Sequence, residues 1–203
     1  MAPLRLGLFG GTFDPPHLGH LVVAQDAVER LGLNRLLFVV AGLPPHKLQN
    51  RLSPARVRLE MVRAAVRGNP AFEASGVEVD QAGPTYTVDT LRRFRVEHPD
   101  ATMFFLMGAD QLAEFHEWKE PEEIGALATV VVMGREGFGG APAMGGGVDG
   151  GLPVDVMSIR VTRLDLSSTQ VRERVRDGRS VQYLVPPEVL GIIEDQGLYR
   201  SIP

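Results

Sequence analysis

One stretch near the N-terminus decides the fold: Gly10-Gly11-Thr12-Phe13-Asp14-Pro15-Pro16-His17-Leu18-Gly19-His20, called the opening segment below. An apolar run at residues 4–9 precedes it, and an amphipathic helical pattern at residues 18–31 follows it. The opening segment is therefore predicted to be a strand-to-helix turn, where α/β folds bind phosphates. Its two glycines allow a backbone to approach a ligand closely. His17 and His20 share one face of the first helical turn, which suits a ligand with several negative charges.

The remaining chain alternates between apolar runs and amphipathic patterns. Residues 35–41, 102–107 and 129–133 are typical of strands buried on both faces, and residues 72–79 and 156–161 are predicted strands. A helix is predicted from Ser53 as N-cap, with Pro54 at its first position, to about residue 67, and a short helix at residues 111–115. This alternation predicts an α/β fold with a doubly wound parallel sheet.

The predicted domain organisation is a single domain over residues 1–203. Residues 1–165 form the sheet core and residues 166–203 a small C-terminal helical part. Residues 137–151 are rich in glycine and are predicted to be a flexible surface insertion.

Composition excludes several classes of function. The chain has 203 residues, 44% of them hydrophobic, and no cysteine, so disulfides, thiolate nucleophiles and zinc–thiolate sites are excluded. A net charge of −4 argues against broad nucleic-acid binding but not against a small anionic ligand. The first residues form a strand pattern rather than a signal peptide, and no apolar run is long enough to span a membrane. We therefore expect a cytoplasmic protein.

Three further motifs lie at predicted strand ends or helix starts. Ser167 and Gln170 have the spacing of a capping box. The same predicted helix start, together with Arg172, is also typical of an anion-binding site. Gly108-Ala109-Asp110 with the single tryptophan, Trp118, is typical of a strand end, a turn and packed aromatic residues. Thr85-Tyr86-Thr87 is typical of a turn with a helix cap.

The string His17-Leu18-Gly19-His20 behind Gly-Gly-Thr-Phe-Asp-Pro resembles the signature of the HxGH nucleotidyltransferase superfamily. The Ser167-Ser168-Thr169-x-x-Arg172 string resembles the motif that closes the ATP site in the same superfamily. This resemblance implies a Rossmann-like nucleotidyltransferase fold. It also implies that the histidines bind ATP phosphates and stabilise an in-line transfer without a covalent intermediate.

The Gly-x-Asp turn and Trp118 are similar to those of the bacterial nicotinate mononucleotide adenylyltransferases, a family that the motif order fits along nearly the whole chain. The resemblance implies His17 and His20 as catalytic residues. The implied ATP-binding residues are Gly10, Gly11, Thr12, Phe13, His17, His20, Arg135, Ser168, Thr169 and Arg172. The implied mononucleotide-binding residues are His46, Lys47, Thr87, Gly108, Asp110 and Trp118. Lys119 stands where some members carry an aromatic residue.

The resemblance implies adenylyl transfer from ATP to nicotinate mononucleotide, giving nicotinate adenine dinucleotide and pyrophosphate in NAD biosynthesis. Mg2+ is expected to be held by the ATP phosphates rather than by protein side chains. No nucleic-acid or membrane partner is expected, and a homo-oligomer stays open. Three alternatives remain: a phosphopantetheine adenylyltransferase, an enzyme preferring the nicotinamide substrate, and a nucleotide-binding regulator without catalysis.

Overall fold

The computed structural model describes residues 3–43, 52–81, 83–134 and 154–200. Its strands are β1 (Arg5–Gly11), β2 (Arg35–Val40), β3 (Phe72–Ser75), β4 (Thr102–Gly108), β5 (Thr129–Gly134) and β6 (Val156–Arg160). Its α-helices are α1 (Leu18–Leu31), α2 (Ala55–Val66), α3 (Thr87–Glu97), α4 (Ala109–Leu112), α5 (Pro121–Leu127), α6 (Ser168–Arg176) and α7 (Pro187–Asp195), and a 3-10 helix covers Phe115–Glu117.

The strands form one six-stranded sheet in the order β3-β2-β1-β4-β5-β6, and each neighbouring pair is parallel. The predicted doubly wound parallel sheet is therefore confirmed. The chain leaves β1 toward β2 on one side and returns to β4 on the other side. This reversal creates a crevice beyond the carboxyl ends of β1 and β4, where open α/β sheets bind ligands.

Alternate residues of the central strands enter two separate cores. In β4, Met103, Phe105 and Met107 belong to one core, which also contains residues of α3 and α5. Phe104 and Leu106 belong to the other, which contains residues of α1 and α2. Because both faces are covered by helices, the strands read as continuous apolar runs rather than as alternating patterns.

The C-terminal helices complete a third core. Val171 of α6 and Val189 and Ile193 of α7 pack with Met61 and Ala64 of α2. The part after the sheet is therefore attached to the helical layer that covers β2. The proposed boundary near residue 165 stays a prediction, and the predicted insertion at residues 137–151 lies outside the described residues.

Three local predictions are corrected by the structure. Helix α2 has Pro54 rather than Ser53 at its N-cap, because the first helical hydrogen bond is donated by the Arg58 N–H to the Pro54 carbonyl (3.1 Å). Strand β3 ends at Ser75 rather than at residue 79, because the chain turns there, with the Val79 N–H donating to the Gly76 carbonyl (2.9 Å). The short helix expected at residues 111–115 is replaced by α4, which starts directly after β4, and the 3-10 helix.

Candidate active site

A single continuous cavity of about 1000 Å³ opens beyond the carboxyl ends of the strands. Its wall includes residues from the ends of β1, β2, β4 and β5 and from the segment that follows β6. Ligand-binding clefts usually range from about 300 to 1000 Å³, so the space is large enough for two nucleotides. The predicted site residues on this wall are Gly10, Gly11, Thr12, Phe13, His17, His20, Thr87, Gly108, Asp110, Trp118 and Ser168.

His17 and His20 form a stacked pair at one end of the cavity. Their ring centroids lie 3.7 Å apart with an interplanar angle of 30°. His17 is the N-cap of α1, and its backbone N–H donates to Nδ1 of His20 (3.1 Å). A Cβ added to Gly19 would lie 3.0 Å from both Cε1 and Nδ1 of His17, so the glycine between the histidines provides the space for the His17 ring.

Both histidines are neutral at physiological pH. Burial lowers the pKa of His17 to about 4, and burial together with the nearby His17 ring lowers the pKa of His20 well below its usual value. Nδ1 of His20 accepts a hydrogen bond and therefore carries no proton, so the proton of the neutral ring is on Nε2. Nε2–H is the group with which His20 can donate to an anion. Nδ1 of His17 is buried and has no partner among the described residues.

Phe13 lies beside the histidine pair in the wall of the cavity. Its φ of +50° is unusual for a bulky residue, and its ring packs edge-on against His20 with centroids 5.1 Å apart. A Cβ on Gly11 would lie 2.6 Å from this ring, so Gly11 is required for Phe13 to reach its position. By contrast, a Cβ on Gly10 would make only one ordinary contact, with Phe105 at 3.9 Å.

Helix α6 docks its N-terminus on the opening segment. The predicted capping box is present: Gln170 N–H donates to Ser167 Oγ, and Ser167 N–H donates to the Gln170 side chain (2.7 Å). Ser168 Oγ donates to the Pro15 carbonyl (2.8 Å). Arg172 donates to the Asp14 carbonyl (2.7 Å) and to Thr169 Oγ1 (3.1 Å). Ser168 lies on the cavity wall, whereas the predicted ATP-binding residues Thr169 and Arg172 do not line it.

Phe105, Tyr86 and Trp118 form an aromatic part of the cavity wall, called the aromatic end below. Trp118 packs against Phe105 and Phe115, with ring centroids 5.9 and 5.5 Å apart. The Lys119 ammonium group lies 4.9 Å from the ring centroid of Tyr86 and donates to Asp89 (2.8 Å). That hydrogen bond raises the pKa of Lys119, which therefore keeps its positive charge.

The turn after β4 also lines the cavity. Gly108 is the N-cap of α4, and its N–H donates to the Gln111 side chain (3.1 Å). A Cβ on Gly108 would have no neighbour nearer than Gln111 at 4.0 Å, so a ligand can approach this backbone closely. Asp110, exposed in the next turn, lies on the same wall.

Several residues at the site were not predicted from the sequence. Arg163, Thr85 and Glu78 line the cavity, and the Thr85 hydroxyl is buried without a partner among the described residues. Arg163 lies just after β6, so its position in the sequence could have indicated a place at the site, because ligands bind beyond the carboxyl ends of the strands. Arg58 is buried beneath the opening segment. The sequence could have indicated this, because Arg58 lies on the otherwise apolar face of α2.

Some predictions lie outside the described residues: His46, Lys47 and Arg135. Within the described ranges, no group of three His, Asp or Glu side chains has an arrangement that could hold a metal ion. None of the helices in this part of the chain is long and apolar enough to cross a membrane.

Comparison with known proteins agrees with the motifs. The cytidylyltransferase-like family model matches residues 8–174. A protein of Thermus thermophilus named "Probable nicotinate-nucleotide adenylyltransferase" is 45% identical over 97% of this chain and 100% of its own length. A protein of the same name from Rubrobacter xylanophilus is 39% identical over 98% of this chain and 93% of its own.

Solved structures confirm the fold. The nicotinic acid mononucleotide adenylyltransferase of Plasmodium falciparum, complexed with NaAD, aligns with a TM-score of 0.74 at 18% identity over 97% of both chains. A putative nicotinate-nucleotide adenylyltransferase from Vibrio parahaemolyticus aligns with a TM-score of 0.69 at 19% identity, over 98% of this chain and 97% of its own. The chain belongs to the cytidylyltransferase-like family and, within it, to the nicotinate-nucleotide adenylyltransferases.

Proposed function

We propose that the protein transfers the adenylyl group of ATP to nicotinate mononucleotide, giving nicotinate adenine dinucleotide and pyrophosphate in NAD biosynthesis. The observation that carries this proposal is one continuous cavity whose wall contains both a neutral histidine pair and Trp118. The names of relatives up to 45% identical over their full length support the same reaction.

The chemistry requires positioning more than proton transfer. A 5′-phosphate oxygen of the mononucleotide attacks the α-phosphorus of ATP, a P–O bond forms, and the bond to the pyrophosphate oxygen breaks. A phosphate monoester is largely ionised near pH 7, since its second pKa is about 6, so no general base is needed. The protein must hold the two phosphates in line and stabilise the charge that builds up on the oxygens.

His20 is suited to stabilise that charge. Because Nδ1 accepts the His17 N–H, the Nε2–H can donate to an oxygen of the α-phosphate without any change of tautomer. His17 stacks on His20 and has an unpartnered Nδ1, which a bound nucleotide can satisfy. Both histidines act as neutral donors preorganised by the N-terminus of α1.

The ATP phosphates would lie between the opening segment and the N-terminus of α6. Gly10, Gly11, Thr12 and Phe13 supply backbone groups. Ser168 lies on the same wall, and its hydroxyl would donate to a phosphate in place of the Pro15 carbonyl. Contact of Thr169 or Arg172 with phosphate would require exchange of the Arg172 hydrogen bond to the Asp14 carbonyl. The roles of Arg135, near the adenine or the phosphates, and of His46 and Lys47, near the mononucleotide phosphate, stay predictions.

The mononucleotide would occupy the aromatic end of the cavity. Trp118 offers a face for the pyridine ring, and Gly108 and Asp110 lie where the ribose hydroxyls would be bound. Thr87 would bind the nicotinate carboxylate. The charge of Lys119, on the same wall, would favour an acid over an amide.

Magnesium would enter with ATP. The phosphate oxygens of ATP would hold the ion. Bound there, Mg2+ would neutralise charge on the departing pyrophosphate.

The deciding experiment measures pyrophosphate release from ATP, Mg2+ and nicotinate mononucleotide. Pyrophosphate release that depends on the mononucleotide supports the proposed enzyme activity. Binding of both substrates without pyrophosphate release would instead identify a nucleotide-binding regulator. Trp118 is the only tryptophan, so its fluorescence reports mononucleotide binding independently of turnover. A fluorescence change with ATP alone would mean that the two substrate ends are reversed.

Competing substrates separate the remaining alternatives. We expect the nicotinate substrate to outcompete the nicotinamide substrate, and 4′-phosphopantetheine not to react. Lys119→Met should reduce the preference for the acid, while Lys119→Arg should largely keep it. If the wild type and Lys119→Met prefer the nicotinate substrate to the same extent, groups other than Lys119 distinguish the acid from the amide. Cytoplasmic location, the absence of nucleic-acid partners and the oligomeric state remain predictions.

A further inference from the structure

A buried arginine beneath the opening segment joins three loops of the site. Arg58, in the first turns of α2, is 1% exposed. Its guanidinium donates to the carbonyls of Thr12 (2.7 Å), Gly42 (3.0 Å) and Ser53 (3.0 Å). These carbonyls lie in the opening segment, in the loop after β2 and just before α2.

Burial of this charge is costly unless the surroundings compensate for it. Burial lowers the pKa of Arg58, and the nearby Asp14 opposes that effect. Asp14 is 2% exposed, and its carboxylate accepts from the Tyr199 hydroxyl (2.6 Å) and the Ser53 N–H (3.1 Å). The cation, the carboxylate and the tyrosine therefore form one buried polar cluster, which we call the Arg58 cluster.

The Arg58 cluster holds the backbone of the opening segment at the Thr12 carbonyl, and Arg58 itself does not line the cavity. The Thr12 carbonyl and the Phe13 N–H belong to one planar trans peptide and point in opposite directions. Because Arg58 binds the carbonyl, the Phe13 N–H points away from the guanidinium, and Phe13 is part of the cavity wall. Arg172 holds the Asp14 carbonyl two residues later.

We infer that Arg58 is a positioning residue for adenylyl transfer: by binding the Thr12, Gly42 and Ser53 carbonyls, it fixes the backbone that receives the ATP phosphates. This inference rests on the proposed function. Arg58 does not line the cavity, so it acts through the opening segment rather than by contact with substrate. The planar fork of arginine can reach all three carbonyls, whereas a lysine ammonium group cannot match that geometry.

The test compares Arg58→Lys and Arg58→Met with a matched control, Leu59→Ala. Leu59 is the next residue of α2, is buried in the core below β2, and makes no hydrogen bond to the opening segment. Its truncation should destabilise the fold without releasing the three carbonyls. All variants are assayed at a temperature at which circular dichroism shows each to be folded.

We expect kcat to fall about 100-fold in Arg58→Met and about 10-fold in Arg58→Lys, because misplacement by about 1 Å can cost that much. ATP affinity should weaken in parallel. The KM for nicotinate mononucleotide should change as well, but less than kcat does, because Arg58 holds the loop that contains His46 and Lys47 through the Gly42 carbonyl, at the start of that loop. Leu59→Ala should keep the kcat of the wild type.

Two results would overturn the inference: a kcat for Arg58→Lys equal to that of the wild type, or equal losses of kcat in Arg58→Met and Leu59→Ala. Should Arg58→Met fail to fold, Arg58→Lys still decides. Arg58→Ala adds a second measurement, since millimolar guanidinium should restore part of its kcat while urea, similar in shape but uncharged, should not.

Calorimetric titration with ATP alone separates this inference from the proposed function. If the wild type binds ATP but releases no pyrophosphate, the proposed function fails. The positioning role then stands only if Arg58→Lys binds ATP more weakly than Leu59→Ala does. Equal ATP affinities of those two variants would overturn the inference whatever the reaction.

Discussion

His20 is the residue whose loss should affect turnover most directly. Its Nε2–H is the donor left after Nδ1 has accepted the His17 N–H, and it is preorganised for an oxygen that gains charge during transfer. We expect His20→Ala to lower kcat by about 10² to 10³ while changing the KM for the mononucleotide little. Steady-state kinetics with each substrate varied in turn gives the result. An unchanged kcat would remove His20 from the proposed mechanism.

The buried neutral state of His17 should make stability depend on pH. Its pKa is about 4 when folded and about 6.5 when unfolded, so the unfolded chain binds more protons between these values. The free energy of unfolding should therefore fall as the pH drops from 6.5 to 4, with about 3 kcal/mol attributable to His17. Urea unfolding of wild type and His17→Gln at several pH values measures the difference. His116→Gln, at an exposed site, is the control and should leave the slope unchanged.

The sequence motifs and the resemblance that they carry placed the histidine pair, Ser168 and Trp118 at one site, and these residues do line one cavity. The Gly19 spacing between the histidines has a local cause, since the glycine makes room for the His17 ring. Arg58 and Tyr199 could not be predicted in this way. Their partners, Thr12 and Asp14, lie 46 and 185 residues away, so no short motif contains the contact.

At the scale of elements, the first turn of α1 links helix stability to catalysis. Alanine favours a helix over glycine by about 1 kcal/mol, so Gly19→Ala should add intrinsic helix stability. Yet the new Cβ would lie 3.0 Å from the His17 ring and displace it. We expect Gly19→Ala to lower kcat at least tenfold with little or no loss of unfolding free energy, as measured by urea denaturation and steady-state kinetics.

Gly191 in α7 is the matched control for that change. A Cβ added there meets no atom within 4 Å, so Gly191→Ala should stabilise the protein by about 0.5 to 1 kcal/mol and leave kcat unchanged. If both alanine variants are equally active, the spacing argument for the histidine pair is wrong.

Elements with strong local signals were predicted closely, and those set by distant contacts were not. Helix α1 begins at Leu18 and ends at Leu31 as expected, since Gly32 takes the left-handed conformation that terminates it. Strand β3 is shorter than its pattern suggests. Beyond Ser75 the chain turns, and Glu78 becomes buried against Thr90, which donates to its carboxylate (2.6 Å). That contact depends on the packing of α3 and is not visible in the local pattern.

At the scale of the whole molecule, the N-terminal and C-terminal parts of the chain meet at the opening segment. The Tyr199 hydroxyl, near the C-terminus, donates to Asp14 in the opening segment, and burial raises the pKa of Tyr199, so it stays a donor across the physiological range. The Asp14 carboxylate is thereby bound both by the Ser53 N–H, just before α2, and by the C-terminal segment. The third core, which joins α2 to α6 and α7, holds these segments together.

Tyr199→Phe tests this connection because it removes one hydroxyl and keeps the packing of the ring. Loss of a hydrogen bond to a buried carboxylate should reduce the free energy of unfolding by about 2 kcal/mol. If Tyr199, through Asp14, and Arg58, through the Thr12 carbonyl, hold the same opening segment, the effects of Tyr199→Phe and Arg58→Lys on kcat should not add. A double-mutant cycle in kcat measures this, with Tyr183→Phe, at a residue 80% exposed, as the control for the chemical change. Additive effects would mean that the C-terminal segment stabilises the fold without influencing the opening segment, and the Arg58 cluster would then be two independent contacts.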